Sequence, residues 1–321
     1  MKINGLKART TAGVAIAALA LSLAACGSSG GGSGGDKGTG STNTDQPGKG
    51  KPAVTMGTKD FAEEFLLGEL YAQALRAKGF TVNMKKDIGA SEVVDKALTS
   101  KKIDMYPEYT GVVYSGKSLA NLGDHPKSAK ITYDGAKKWE ESRGYTMLQP
   151  TPFQDADGLA VSKAYAKKYD LKTIGDMKKV GSFTYGGPPE NGTRYQGVLG
   201  LKQAYGLNQL KFKPLKTGAQ YQALNEGQVD SIAVFTTDGQ LATGKYAVLT
   251  DTKGIFGYQN VAPVVRQSLL KQEGPAFAST LNAVSKLLTL KAIIAMNKSV
   301  QIDQKDPAVV AKAFLQANDL V

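Results

Sequence analysis

Across 321 residues there is one cysteine, one histidine and one tryptophan, and these scarcities exclude several classes of chemistry. A lone cysteine, Cys26, permits no disulfide within the chain. With a lone histidine, His125, it cannot assemble a zinc site of the usual Cys/His kind. His125 stands in Gly-Asp-His-Pro, a turn-like surface sequence poorly placed to activate a serine. There is no His-Glu-x-x-His, and outside the Gly/Ser-rich N-terminal stretch there is no Gly-x-Ser-x-Gly elbow. The paired acids Glu63/Glu64 and Asp155/Asp157 lack the flanking aromatic platform that a glycosidase needs. The expectation is therefore a protein that is not an enzyme and carries no metal or cofactor. Arginine-rich clusters are absent too. The formal charge of +12 is spread over lysine pairs such as Lys85-Lys86, Lys101-Lys102, Lys137-Lys138 and Lys167-Lys168, which read as solvated faces rather than a nucleic-acid surface.

The N-terminus is more explicit. Lys2, Lys7 and Arg9 precede an apolar run, Ala12 to Leu21, that is too short to span a bilayer comfortably. The run ends in Leu23-Ala24-Ala25-Cys26, which resembles the bacterial lipobox. Residues 1–25 are thus expected to be a lipoprotein signal peptide, with Cys26 the lipidated residue that anchors the chain to the outer face of the cytoplasmic membrane. Its removal takes away three positive charges and no acid, leaving +9 of the +12. The stretch from Gly27 to Gly50 is almost wholly Gly, Ser, Thr, Asn, Asp and Lys, so residues 26–52 read as a flexible tether, of a length that suits a Gram-positive surface.

From Ala53 onward the pattern alternates between strands and helices, which predicts an α/β fold with largely parallel strands. Val54-Thr-Met-Gly reads as a strand, Glu63 to Lys78 as a helix stopped by Gly79, and Phe80 to Met84 as a second strand. Ser91 is placed as an N-cap of a helix through Ser100, and Pro107-Glu-Tyr-Thr-Gly as a turn after the strand Ile103–Tyr106. Later come the strands Gly158–Val161, Phe183–Gly186, Ser231–Phe235 and Val261–Val265, and helices over Ser162–Tyr169, Tyr195–Tyr205, Pro275–Met296 and Pro307–Asn318. Asp95 to Asp104 and Tyr221 to Asp230 match in kind, each a helix, a polar break and a strand that starts at aspartate. Two lobes of one design follow from that repeat, with strand-end loops around a cleft.

Five stretches carry a more specific resemblance: Gly57-Thr-Lys-Asp-Phe-Ala-Glu-Glu, Leu67-Gly-Glu-Leu-Tyr-Ala-Gln, Ile103-Asp-Met-Tyr-Pro-Glu-Tyr-Thr-Gly, Phe235-Thr-Thr-Asp-Gly and Ala262-Pro-Val-Val-Arg. On these the whole body resembles the substrate-binding proteins of ABC importers for glycine betaine, choline, carnitine and related osmoprotectants. The resemblance implies a bilobal type II periplasmic-binding-protein fold, a Venus flytrap of two α/β lobes on a hinge. Lobe 1 is expected at residues 53–155 and 250–321, and lobe 2 at 156–249. The implied partners are a small-molecule ligand and an ABC permease with its ATPase, the protein itself acting as a monomer. Sensing without a transporter is the alternative role.

A permanent cation without N–H groups is held by aromatic faces, at roughly 0.5–2 kcal/mol per ring once desolvated. The resemblance implies a tyrosine cage, and Tyr109 matches one of its positions. Three others fall on Gly158, Val198 and Gln259, with Tyr195 and Tyr258 close by. The pocket is then either rebuilt from shifted aromatics (Tyr258, Tyr195, Phe61, Phe153) or retuned for another small ligand, with Asp155, Asp157 and Glu64 favouring a cation through charge. The expected ligand contacts are Lys59, Phe61, Glu64, Tyr109, Thr110, Gln154, Asp157, Arg194, Tyr195, Thr237, Asp238, Tyr258 and Gln259. Each has a plainer role available to it: an acid in a helix's first turn for Glu64, a turn for Thr237 and Asp238, packing for the tyrosines.

Overall fold

The computed structural model describes residues 46–123 and 126–321. The leader, Cys26, most of the tether and His125 lie outside the described residues. Ten strands follow in chain order: β1 (Val54–Gly57), β2 (Val82–Lys85), β3 (Met105–Tyr109), β4 (Tyr145–Met147), β5 (Asp157–Ser162), β6 (Phe183–Gly187), β7 (Leu210–Pro214), β8 (Ser231–Phe235), β9 (Tyr246–Leu249) and β10 (Val261–Arg266). They form two five-stranded sheets, ordered β2-β1-β3-β10-β4 and β7-β6-β8-β5-β9.

The two sheets share one plan. In each, three parallel strands are followed by one that runs antiparallel, β10 beside β3 and β5 beside β8, and then by an edge strand antiparallel to that one. The antiparallel members exist because the chain crosses between lobes: β5 enters lobe 2 from lobe 1, and β10 returns. Alternation along these strands shows that both faces of each sheet are buried. Val261 and Val265 join the core around Leu66, Leu70 and Phe277, while Ala262 and Val264 face Tyr106 and Val113. In lobe 2, Leu159 and Val161 pack with Tyr185 and Leu201, and Ala160 with Ile232 and Val234. Strands buried on both sides read as unbroken apolar runs, as Val-Ala-Pro-Val-Val does.

The aspartates of the sequence repeat do the same work in each lobe. Asp104 accepts the Thr55 N–H through Oδ2 at 2.8 Å, and its own N–H donates to Thr55 O at 2.8 Å. Asp230 accepts the Thr184 N–H at 2.7 Å and donates to Thr184 O at 3.0 Å. Each carboxylate fastens the strand after the repeat to the first parallel strand of its lobe, β1 or β6.

Four local expectations need correction. Ser91 is the first residue of its helix (Ser91–Thr99) and not the cap, since Ala90 has the extended backbone and the Ser91 hydroxyl donates to Glu108 Oε1 at 3.2 Å. Pro107-Glu-Tyr is strand rather than turn, and the chain leaves it directly into a short helix, Thr110–Ser115. Proline is tolerated there because Pro107 lies opposite Pro263 in the antiparallel ladder. With Thr110 N–H bonded to Asn260 O, the pair 107/263 occupies a non-hydrogen-bonded position, where the β3–β10 pairing asks neither proline for an N–H. The helix placed over Pro275–Met296 is two helices, Pro275–Leu287 and Leu290–Gln301, set at 87°. Leu288 leaves helical backbone, and the Thr289 side chain caps the second helix by accepting the Ala292 N–H at 3.2 Å. Finally, residues 46–52 belong to the folded body, whereas composition had put them in the tether. The Gly48 N–H donates to Lys78 O and Lys51 Nζ to Gln272 O, both at 2.9 Å. A Cβ at Gly48 would stand 2.3 Å from the backbone of Phe80, so only glycine allows that contact.

Candidate ligand-binding site

The cleft is built first at the end of β1. The chain leaves Gly57 through Thr58 and Lys59 before entering a helix of 16 residues, Ala62–Ala77. No side chain caps this helix; instead Glu64, in its first turn, reaches back and accepts the Lys59 N–H through Oε2 at 3.1 Å. The Lys59 side chain is buried. Its Nζ lies 3.0 Å from Glu64 Oε1, 2.9 Å from Glu108 Oε1 and 3.1 Å from Pro107 O, and 4.5 Å from the centre of the Tyr109 ring. Burial alone would lower the pKa of this ammonium, but Glu108 and Glu64 outweigh it and hold the group above its usual value. Burial also pushes the Glu64 carboxyl up to about 7, against the pull of Lys59.

Aromatic residues at two strand ends complete the wall. Tyr109 ends β3 and Phe235 ends β8, and Phe61 lies between them. The Phe61 ring is 6.1 Å from Tyr109 at 28° and 5.5 Å from Phe235 at 17°. Three nearly parallel rings, two from lobe 1 and one from lobe 2, therefore cross the cleft. Around them stand Ser91, Val112 and Gln259 from lobe 1 and the crossover, and Asp157, Asn191 and Arg194 from lobe 2. Arg194 reaches across to Glu92, its Nη2 lying 2.9 and 2.8 Å from the two carboxylate oxygens. The enclosed volume is about 40 Å³. Pockets that engulf drug-sized ligands run to roughly 300–1,000 Å³, so a ligand enters only by parting the rings or the lobes.

Behind the rings lies the hinge. Its two crossovers run side by side, joined by the Gln154–Asn260 bridge and by the Asp155 N–H donating to Gln259 O at 3.0 Å. The Thr237 hydroxyl sits 2.6 Å from Glu63 Oε2 and 2.7 Å from Asp155 Oδ1. Glu63 also accepts from the Tyr109 hydroxyl at 2.8 Å and from Asn297 Nδ2 at 2.6 Å. Burial raises Glu63, and burial together with the Glu63 charge raises Asp155 far above the carboxylate range. This network joins lobe 1 to the loop after β8, and the bend at Leu288 brings Asn297 to it.

The expected contacts divide accordingly. Lys59, Phe61, Tyr109, Asp157, Arg194 and Gln259 line the cleft. Glu64 is one layer behind, against Lys59. Thr237 and Asp238 are in the hinge, Asp238 accepting from the Tyr221 hydroxyl at 2.7 Å and the Phe235 N–H at 3.0 Å. Thr110 and Gln154 take part through the crossover backbone. Tyr195 is buried in the lobe 2 core and Phe153 in that of lobe 1. Tyr258 faces a separate hollow of about 760 Å³ beside the hinge. The three positions that lack an expected tyrosine also separate. Gln259 does line the cleft and accepts the Val112 N–H at 3.1 Å. Val198 is a core residue. A side chain at Gly158 would meet Val234 and Val248, because alternation along β5 turns Asp157 to the cleft and residue 158 away. Phe235 was overlooked as a contact, although it ends a buried strand and shares a face with Thr237. Glu92 and Asn297 gave no local signal, and Glu108 stood in the Tyr-Pro-Glu-Tyr-Thr-Gly stretch with no contact expected of it.

Two α/β lobes joined by paired crossovers, with a cleft lined from both, define a bilobal substrate-binding protein of the type II periplasmic kind. A family model for the substrate-binding domain of ABC-type glycine betaine transport systems matches residues 52–317, and the chain belongs to that family. It is 30% identical over 278 residues to a glycine-betaine-binding protein of Pseudomonas aeruginosa, covering 83% of this chain and 88% of that one. It is 26% identical over 269 residues to an ergothioneine transport permease/ergothioneine binding protein of Helicobacter pylori, covering 83% of this chain but 47% of that longer one. Among solved structures, a glycine betaine/carnitine/choline ABC transporter protein superposes with a TM-score of 0.67 at 23% identity, over 83% of this chain and 99% of that one. The protein is thus the extracytoplasmic substrate-binding component of an ABC importer, not an enzyme, and it delivers a small ligand to a permease.

Proposed function

We propose that the ligand is a small quaternary-ammonium osmoprotectant, bound between a lobe 1 of residues 53–155 and 250–321 and a lobe 2 of residues 156–249. The observation that carries this reading is the trio of rings Phe61, Tyr109 and Phe235, contributed by both lobes and ringed by the acids Asp155, Asp157 and Glu190. Ring faces and carboxylates are what a cation without N–H groups requires. Contacts from both lobes give the ligand a differential affinity for the closed state, and that difference is what drives closure. The closed form then docks on the permease, which works with its ATPase. Residues 1–25 serve as a signal peptide, and Cys26 bears the lipid that anchors the tether outside the cell. Calorimetric titration with choline, glycine betaine, carnitine and ergothioneine tests the reading. At least one should bind in the micromolar range and lose that binding in Tyr109→Ala; heat-free titrations across the panel would refute it.

A further inference from the structure

We propose that Glu92 and Glu64 determine specificity, because they occupy the basic groups of the cleft and so select a cation that carries no carboxylate of its own. This rests on the quaternary-ammonium reading above and narrows it. Among the described residues that line the cavity, two are basic, Lys59 and Arg194. A ligand carboxylate would need one of them. An ammonium has three N–H donors, and Lys59 has three acceptors already within 3.1 Å: Glu64, Glu108 and Pro107 O. Nothing is left to offer. Arg194 places Nη2 against both oxygens of Glu92, so a protein carboxylate already matches the charge that a ligand carboxylate would seek. Its Nε is the buried donor without a partner, enough for one hydroxyl oxygen.

The remaining charges point the same way. Apart from Asp155, which is tied into the hinge through Thr237, the cavity is lined by three acids, Asp60, Asp157 and Glu190, against two bases that protein carboxylates already neutralise. A carboxylate brought here would be desolvated beside like charges, with no basic group whose charge is not already matched by a protein carboxylate, a costly arrangement for a buried anion. A simple cation would meet rings and unneutralised acids. Glu92 comes from lobe 1 and Arg194 from lobe 2, so a ligand carboxylate would also have to break a contact that holds the closed cleft together.

Choline and glycine betaine make the matched pair, since they share a trimethylammonium head and differ in carrying a hydroxyl or a carboxylate. Titrated calorimetrically at alkaline pH, the protein should bind choline at least about tenfold more tightly. Glu92→Gln, a partly exposed helix position, frees Arg194 but also loosens the contact between the lobes, so choline affinity should fall while the ratio of glycine betaine to choline affinity rises several-fold. Glu64→Gln frees one Lys59 donor and should act in the same direction, more weakly. Betaine bound as tightly as choline by the unaltered protein, or an unchanged ratio in Glu92→Gln, would overturn the specificity while leaving the quaternary-ammonium reading intact. Silence toward both ligands in both proteins would overturn the two together. Betaine binding gained only in Glu92→Gln would support the specificity.

Discussion

The two lobes are the same frame finished differently. Each has a parallel strand that an aspartate at its start fastens to its neighbour, Asp104 to Thr55 and Asp230 to Thr184, and each of the strands so fastened ends in an aromatic residue at the cleft, Tyr109 and Phe235. Behind Tyr109 lie Lys59, Glu64, Glu108 and Glu63, all buried and bonded to one another or to the ring. Phe235 has a backbone N–H held by Asp238 and is itself only partly buried. The first strand of lobe 1 feeds a helix of 16 residues, whereas its counterpart β6 feeds short turns from Pro189 to Leu199 and a helix of four. Lobe 1 is therefore a rigid half-site, and lobe 2 brings a ring, an arginine and two acids on lighter supports.

Substitutions at matched positions should expose that asymmetry. Tyr109→Ala should cost about 3–5 kcal/mol in chemical denaturation, as for other buried aromatics, and abolish ligand binding. Phe235→Ala should weaken binding with less than half that loss of stability; equal losses would mean the lobes are equally built. The aspartates are the next test. Asp104→Ala and Asp230→Ala should each cost about 1.5–3 kcal/mol, with Asp104→Ala the larger because it also strands Arg266, its ion-pair partner. Gly158→Tyr, which would restore an aromatic at an expected cage position, should leave affinity unimproved. It should destabilise by about 1–3 kcal/mol through overpacking, since a Cβ there already stands 3.1 Å from Val234. A gain in affinity would mean β5 has the opposite facing.

The smallest effect concerns protons. Burial pushes Asp157 up to about 7, with Arg194 pulling down and Glu190 pushing further up, and burial does the same to Glu64 against Lys59. Between about pH 4.5 and 7 the folded protein then holds more protons at these sites than the unfolded chain, so their contribution to stability is present at low pH and is lost as pH rises through 7. A bound cation favours the ionised acids, so its affinity should rise over the same interval, by up to about tenfold, with protons released. Titrations in buffers of different ionisation enthalpy would detect that release, and a pH-independent affinity would show that neither acid faces the cation.

Much of this was legible in advance, and the failures have physical causes. The helix–break–aspartate repeat announced two matched lobes because the repeat itself is a contiguous ten-residue pattern, although the residues its aspartates clamp, Thr55 and Thr184, lie 49 and 46 positions away. Lys59, Phe61, Tyr109 and Arg194 stood in short motifs at strand ends. Pro107 misled because proline signals a turn unless its partner in the ladder is known, and that partner, Pro263, is remote in sequence. Gly158 misled because facing is set by register, and a shift of one residue exchanges cleft for core. Glu92 and Asn297 could not be singled out at all: each sits in an ordinary amphipathic helix and acquires its role from a residue 102 or 234 positions away.

Thr237 has one hydroxyl proton to give, yet its oxygen is within hydrogen-bonding reach of two carboxyl groups, 2.6 Å from Glu63 and 2.7 Å from Asp155. The hydroxyl can serve one of them; the other contact requires that the acid itself donate. Burial raises both acids, and each accepts other bonds, Glu63 from Tyr109 and Asn297 and Asp155 from the Thr237 N–H, so the pair holds one proton between them. The closed hinge therefore stores a proton in a chain running from Asp155 through Thr237 to Glu63. Parting the lobes breaks that chain and exposes the pair to water, where both acids ionise. Opening and closing thus become a change in proton inventory, legible in the infrared as the loss or gain of a single carbonyl stretch from a neutral carboxyl group.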